Sequence, residues 1–315
     1  MTPRAILVYY PDEAEARAYA ELIQLPREAF TVRVAWAPEE AADFIHDTEI
    51  LYAWRFPASL LRGAPRLQWI QSMGAGVERF LVPDLPRRVV LTRAAGIFGP
   101  WMAEYTIGWC LWITQRMEQF RVQQRQRRWT ETNPARLRGA TICLVGLGDI
   151  GRAIARAARA LGMRVIAVTR GGRKAPEAER VYRAASLRQA LAQADFVVVT
   201  VPLTPTTHDL IGTRELAAMK PSAWLVNIGR GPVVDEDALI AVLRDRRIAG
   251  AVLDVFNREP LPPDHPLWAL DNVVITPHMS GPSIPAEIAP IFNDNLRRYV
   301  AKRPLRHTVD RTRGY

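Results

Sequence analysis

Short, near-continuous apolar runs recur along this chain with room for a helix between most of them, and that alternation limits the possible fold more than any other feature. In the first third, Ala5–Tyr10, Thr31–Trp36, Glu49–Trp54, Leu67–Met73 and Val89–Arg93 read as strands, and Asp12–Leu25 has helical spacing of polar and apolar residues. A second series follows at Ala140–Val145, Arg164–Thr169, Phe196–Val201, Ala223–Ile228, Gly250–Val255 and Asn272–Thr276. Strands that are apolar along their whole length suit burial on both faces. Alternation of strands with helices predicts mostly parallel sheets covered by helices on both faces. Between the two series a long helical segment, Pro100 to Arg128, carries Trp101, Ile107, Leu111, Trp112 and Met117, and Pro100 suits its first position. A last helix spans about Pro285 to Lys302. The expectation is an α/β chain of two Rossmann-like domains joined by the long helix, with an active-site cleft between them. Neither a solenoid repeat nor a low-complexity linker interrupts it.

A chain of 315 residues, 49% of them apolar, can bury two cores. No apolar run approaches the roughly 20 residues that cross a bilayer. The start turns acidic at Asp12 and Glu13, so it reads as a first strand and not a signal peptide. Cys110 and Cys143, the only cysteines, sit in apolar stretches, which fits reduced core residues in a cytoplasmic protein. The net charge of +10 raises the question of nucleic acid. Arginine is scattered along the whole chain, however, and the densest run (Arg121, Arg125, Arg127, Arg128) lies on one predicted helix. A solvated or interface helix accounts for it better than a nucleic-acid patch. A positive surface also draws in anionic cofactors and acids.

Gly146-Leu147-Gly148-Asp149-Ile150-Gly151 follows a predicted strand and opens a helix running to about Leu161. Alone, G-x-G-x-x-G is a weak pattern, but between a strand and a helix it predicts a dinucleotide site. Gly146 permits the tight turn, Gly148 lets the backbone approach a pyrophosphate, and Gly151 lets helix and strand pack. The helix N-terminus then holds the diphosphate. At the end of the next strand, NAD-selective sites place an acid for the ribose 2′-hydroxyl. Here Thr169 holds that position, and Arg170, Arg173 and Lys174 follow. A guanidinium grips a 2′-phosphate with two hydrogen bonds. NADP(H) is therefore favoured over NAD(H), although the same cations also suit a plain surface loop.

Reducing a keto acid needs a cation for its carboxylate and carbonyl, an acid for the new oxyanion, and a partner that keeps that acid charged. Arg230, in Asn227-Ile228-Gly229-Arg230-Gly231, follows an apolar strand, where open α/β sheets present ligand sites. Its planar fork binds a carboxylate bidentately. His278 closes the strand Asn272–Thr276 and alone among five histidines directly follows such a strand. Imidazole exchanges a proton near neutral pH. Glu259 lies beyond a third strand, and a carboxylate beside the imidazole would raise its pKa and orient it. Singly, each is more often a surface or structural residue; together they supply cation, carboxylate and imidazole from three strand ends. No His/Cys/acid cluster has metal-ligand spacing, so no metal is expected.

These motifs, Gly146–Gly151, Asn227–Gly231, Asp254 to Glu259-Pro260, His265-Pro266-Leu267-Trp268 and Thr276-Pro277-His278, occur in an order and spacing that resemble the D-isomer-specific 2-hydroxyacid dehydrogenase family. Gln71-Ser72-Met73-Gly74-Ala75-Gly76-Val77 is similar to that family's substrate-binding glycine loop. The resemblance implies that Arg230 binds the substrate carboxylate and carbonyl, that His278 paired with Glu259 is the acid/base, and that the backbone at Ala75, Gly76 and Val77 holds the carboxylate. Along the dinucleotide it places Val201, Pro202, Thr207, Asn227, Ile228 and Gly229, then Asp254, His278 and Gly281. It implies a discontinuous catalytic domain, 1–99 plus 285–315, with the nucleotide-binding domain, 100–284, inserted. It also implies a homodimer with Trp101–Arg128 as the candidate surface. The segment Gly96 to Tyr105 resembles the glyoxylate/hydroxypyruvate reductase-like branch. After His278 the run Met279-Ser280-Gly281-Pro282-Ser283 departs from the small residues and threonine of many relatives. Trp54, Phe98, Trp101, Trp268 and Met279 are candidate pocket walls, with core packing the default for each.

The leading expectation is thus an NADP(H)-preferring 2-keto-acid reductase. A dinucleotide-sensing binding protein, as the corepressors of this family are, keeps the same Arg/Glu/His set; the lack of extra tails argues against it. A relative acting on formate or phosphite would carry further polar pocket residues.

Overall fold

The computed structural model describes residues 4–24, 30–83 and 85–315, and the chain divides into two compact units, Met1–Ile97 with Ser283–Tyr315 and Phe98–Pro282. In the first unit β1 (Arg4–Tyr9), β2 (Phe30–Ala35), β3 (Thr48–Ala53), β4 (Trp69–Ser72) and β5 (Val90–Arg93) form a parallel sheet ordered β2-β1-β3-β4-β5. The helix read at Asp12–Leu25 is α1 (Glu13–Glu21), started by Asp12, whose side chain accepts from the Glu15 amide; Leu25 lies outside the described residues. A second helix, α2 (Pro38–Ile45), opens on a proline, and the C-terminal helix, α9 (Pro285–Val300), completes the unit.

The first unit's core depends on α9. Phe292 stacks on Tyr52 at 4.1 Å and on Trp69 at 5.2 Å. Its neighbour Asn293 binds the Leu22 carbonyl and the Gln24 amide. Arg4 grips Glu49 with two nitrogens, and the Tyr299 hydroxyl donates to the same carboxylate at 2.6 Å. Burial opposes ionisation of Glu49, but the bonds from Arg4 and Tyr299 outweigh it and lower its pKa.

The second unit holds seven parallel strands, ordered β12-β11-β10-β9-β6-β7-β8. They are β6 (Thr141–Val145), β7 (Arg164–Thr169), β8 (Arg180–Arg183), β9 (Phe196–Val199), β10 (Trp224–Asn227), β11 (Gly250–Leu253) and β12 (Val273–Ile275). Among the described residues its helices are α3 (Phe98–Thr114), α4 (Met117–Arg125), α5 (Asp149–Ala160), α6 (Leu187–Leu191), α7 (Thr213–Leu216) and α8 (Glu236–Arg244). Every residue of β6, β9 and β11 is buried, as continuous apolar runs require. Strand order reverses between β6 and β9, which makes their carboxyl ends the topological switch point where such sheets bind ligands.

The structure departs from the sequence reading in two places. The single helix expected from Pro100 to Arg128 is two helices, and the first begins at Phe98, so Pro100 is its third residue. A proline is tolerated there because first-turn amides have no helical acceptor. The break after Thr114 arises because the Ala135 amide takes the Thr114 carbonyl at 2.8 Å, and Arg116 turns left-handed at φ 53°. The second departure is β8, Arg180-Val181-Tyr182-Arg183, an edge strand that buries only Tyr182 and so lacks the apolar run that marked the others.

Candidate active site

The second unit's candidate residues all lie just beyond carboxyl ends of neighbouring parallel strands: Gly146 after β6, Thr169 at the end of β7, Val201 after β9, Arg230 after β10, Glu259 after β11 and His278 after β12. At the switch point Gly146 takes φ +108°, and a Cβ there would lie 2.7 Å from the Thr200 hydroxyl and 3.0 Å from Val201. That hydroxyl donates to the Gly146 carbonyl at 3.0 Å, fastening β9 to the turn. Gly151 packs so closely that a Cβ would fall 2.4 Å from the same carbonyl oxygen. At Gly148 a Cβ would meet nothing within 4 Å. Gly148 is the N-cap of α5, so open space faces a helix N-terminus, followed by Asp149 and Ile150, while Leu147 is buried beside the turn. A pyrophosphate fits this arrangement, since free amides and the helix dipole both favour an anion.

Beyond β7 the Thr169 hydroxyl accepts from the Gly172 amide at 3.0 Å, closing a turn that carries Arg170. Arg170, Arg173 and Lys174 are exposed. Of the two acids that follow, Glu179 pairs with Arg164 at 3.2 Å, and Glu177 is held by Arg152 at 2.6 Å and Arg156 at 3.8 Å, both on α5. The hydrogen bond from Arg152 lowers its pKa. Across the switch point, Thr207 locks its own loop: its hydroxyl donates to the Pro202 carbonyl at 2.6 Å and accepts from the Thr204 amide at 2.8 Å.

Three loops then assemble the polar set. Asn227 is buried; its amide nitrogen donates to the Arg230 carbonyl at 3.2 Å and its oxygen accepts from the Gly229 amide at 3.2 Å, so Ile228 to Arg230 forms a braced turn. Gly231 lets this turn touch the next loop, for a Cβ would lie 2.0 Å from the Phe256 carbonyl carbon. Glu259 accepts from the Phe256 amide at 3.2 Å through one oxygen. Its other oxygen is 2.9 Å from His278 Nδ1. With Nδ1 bound to the carboxylate, Nε2 is the ring nitrogen left for another partner. Both side chains are partly accessible, 29% for His278 and 27% for Glu259.

His278 sits at φ +53°, a left-handed conformation that costs a non-glycine residue about 1 kcal/mol or more. Asp254 holds it there. This fully buried carboxylate accepts from the Thr276 hydroxyl at 2.5 Å on one side of the histidine. It also accepts from the amides of Met279 and Ser280, each at 2.9 Å, on the other. Because the Thr276 hydrogen goes to Asp254, the Tyr105 hydroxyl at 2.6 Å must donate to Thr276. Burial pushes the Tyr105 phenol up, which keeps it a donor. No sequence signal tied Tyr105, on α3, to this loop. Gly281 follows, against Met102 and Phe98 of α3. Of the proposed pocket walls in this unit, Phe98 is buried, whereas Trp101, Trp268 and Met279 are exposed.

In the first unit, the loop after β4 carries a second group of candidate residues. Among the described residues, the amides of Ala75, Gly76 and Val77 donate to no protein acceptor, although Val77 is buried. Consecutive free amides of this kind form a cradle for an anion. The ring of Trp54 packs on Gly74, leaving no space for a Cβ there.

Comparison with known proteins places the chain in one family. The family model described as D-isomer specific 2-hydroxyacid dehydrogenase, NAD binding domain, matches residues 107–280. A glyoxylate reductase from Thermofilum pendens is 36% identical over 267 residues, covering 80% of this chain and 78% of its own. A D-isomer specific 2-hydroxyacid dehydrogenase family protein from Aeromonas salmonicida superposes with a TM-score of 0.89 at 37% identity, covering 99% of this chain and 100% of its own. An NADPH-dependent glyoxylate/hydroxypyruvate reductase from Sinorhizobium meliloti, solved with NADP and sulfate, gives 0.89 at 28% identity over the whole of both chains.

Proposed function

Because the chain belongs to the D-isomer specific 2-hydroxyacid dehydrogenase family, we propose that it is an NADP(H)-preferring 2-keto-acid reductase of the glyoxylate/hydroxypyruvate type. The observation that carries this reading is the His278–Glu259 pair, 2.9 Å apart, on a loop clamped by Asp254 at the ligand-binding edge of a dinucleotide fold. The dinucleotide, when bound, supplies or accepts the hydride. Glu259 orients the imidazole through Nδ1. His278 Nε2 then delivers a proton to the carbonyl oxygen during reduction and recovers it in the reverse direction. Arg230 polarises that carbonyl and neutralises the carboxylate; the first unit's own contribution to carboxylate binding is the run of amides at Ala75, Gly76 and Val77. The open cap at Gly148 receives the pyrophosphate. Thr169, Arg170 and Arg173 receive a 2′-phosphate, a preference supported by the pairing of both following acids, Glu177 with Arg152 and Glu179 with Arg164.

Trp101, Met117 and Phe120 of α3 and α4, with Trp129 beyond them, are each exposed, which supports this segment as a homodimer surface. No helix among the described residues is long and apolar enough to cross a membrane. The test is the initial rate with NADPH and with NADH, each against glyoxylate, hydroxypyruvate, pyruvate, phenylpyruvate and longer branched 2-keto acids. Turnover with an NADPH preference is expected. Tight dinucleotide binding without turnover of any acid would replace this reading with the dinucleotide-sensing one.

A further inference from the structure

The glycine loop of the first unit leaves consecutive amides without protein acceptors among the described residues, and Ser72 lies at its base. Ser72, the last residue of β4, is fully buried, and its hydroxyl lies inside the loop. It accepts from the Gly74 amide at 3.2 Å and faces the carbonyls of Gly74 and Gly76, each at 3.2 Å. One small side chain thus turns one amide and two carbonyls inward. The backbone then has its next three amides, at Ala75, Gly76 and Val77, without protein acceptors among the described residues. Ser72 is itself fixed from behind. Its carbonyl accepts from the Gln71 side chain at 2.9 Å and from the Ala94 amide at 3.1 Å. Gln71 in turn accepts from Thr92 at 2.8 Å and from Asn295 of α9 at 3.1 Å.

We propose that Ser72 is a positioning residue for substrate binding: its hydroxyl sets the loop so that the Ala75–Val77 amides bind the carboxylate of a 2-keto acid. This rests on reading that loop as the carboxylate-binding element. Ser72 touches no substrate; it fixes the direction of the amides that do. A hydroxyl is needed because the loop demands an acceptor and a donor at one point, which alanine or cysteine does not supply equally. The interaction is the same in ground and transition states, so its loss raises KM and leaves kcat nearly unchanged.

The experiment measures the dissociation constant of oxamate, a non-reacting isostere of a 2-keto acid, by calorimetry on the dinucleotide-saturated protein. Wild type, Ser72→Ala and Ser72→Thr are compared, with NADPH affinity as a control on integrity. Ser72→Ala is expected to weaken oxamate about 10-fold or more, with NADPH affinity unchanged. Ser72→Thr, which keeps the hydroxyl, restores most of the binding. Unchanged oxamate affinity in Ser72→Ala overturns the proposal while leaving the loop's role intact. Equal losses of oxamate and NADPH affinity in both variants also overturn it, since they mark Ser72 as a packing residue only. If wild type binds no oxamate, the loop is not a carboxylate site, and the proposal falls together with that reading.

Discussion

Adding a methyl group at Gly148 separates ligand binding from folding. The residue lies at φ −77° and ψ −159°, extended backbone that alanine adopts freely. Its Cβ would meet no protein atom within 4 Å. Glycine is a better N-cap than alanine, but alanine loses less entropy on folding, and the two effects nearly cancel, leaving a change of about 0.5 kcal/mol. The methyl group would project instead where a pyrophosphate approaches the α5 amides. Losing the favourable geometry at a helix N-terminus costs up to about 2 kcal/mol, or roughly 30-fold in affinity. Gly151→Ala is the opposite case, because its Cβ would collide with the Gly146 carbonyl 2.4 Å away. Overpacking against backbone costs about 1–3 kcal/mol of stability before any ligand is added. NADPH titration by fluorescence and chemical denaturation of the ligand-free protein measure the two quantities separately. If Gly148→Ala kept full affinity, the pyrophosphate would not sit at this turn and the reasoning would be refuted.

Other expectations follow from the remaining contacts. His278→Asn is expected to cut kcat by about 10²–10⁴ with NADPH affinity retained, and single-turnover rates would show whether the chemical step is the one affected. Arg170→Ala is expected to raise KM for NADPH about 10-fold and leave that for NADH unchanged; an equal effect on both would remove Arg170 from 2′-phosphate recognition. Because the folded state holds the Glu49 pKa below the ordinary 4.5, the unfolded chain binds more protons as pH falls. The Arg4–Glu49–Tyr299 cluster therefore contributes fully above that value and is lost as pH falls through the depressed pKa. Urea unfolding from about pH 6 to pH 3 should show the stability gap between wild type and Glu49→Gln closing on acidification. Cys110 and Cys143 are fully buried, and burial pushes both thiols up to about 12, so a thiol-reactive dye should label neither until the chain unfolds.

The strands of both sheets other than β8 were legible because a strand buried on two faces needs apolar residues throughout, and Thr141–Val145 or Phe196–Val199 admit little else. The phosphate turn was legible for a related reason, since only glycine survives the contacts at Gly146 and Gly151. Strand ends marked Glu259 and His278 as candidates, the family resemblance implied their pairing, and the structure places the two 2.9 Å apart. What escaped the sequence reading depends on contacts between distant segments. The helix break after Thr114 is caused by Ala135 capturing a carbonyl, with no proline or glycine to announce it. The bond from Tyr105 to Thr276 spans 171 residues, and that length carries no pattern. Ser72 stood inside a recognised loop, but its role is set by which way a hydroxyl points, and composition does not record that.

The interruption of the first unit between Ile97 and Ser283 also dictates an order of events during synthesis. The five strands that leave the ribosome first cannot finish their core, because the ring that stacks on Tyr52 and Trp69 belongs to Phe292. The Asn293 oxygen that satisfies the Gln24 amide arrives 269 residues late. The second unit, whose strands and helices are contiguous, can meanwhile fold on its own. A nascent chain therefore carries a completed nucleotide-binding unit and an unfinished aromatic sheet in tow. Translation that stalls before Pro285 leaves that sheet open to aggregation and to chaperones, so the last helix acts as the step that seals the molecule.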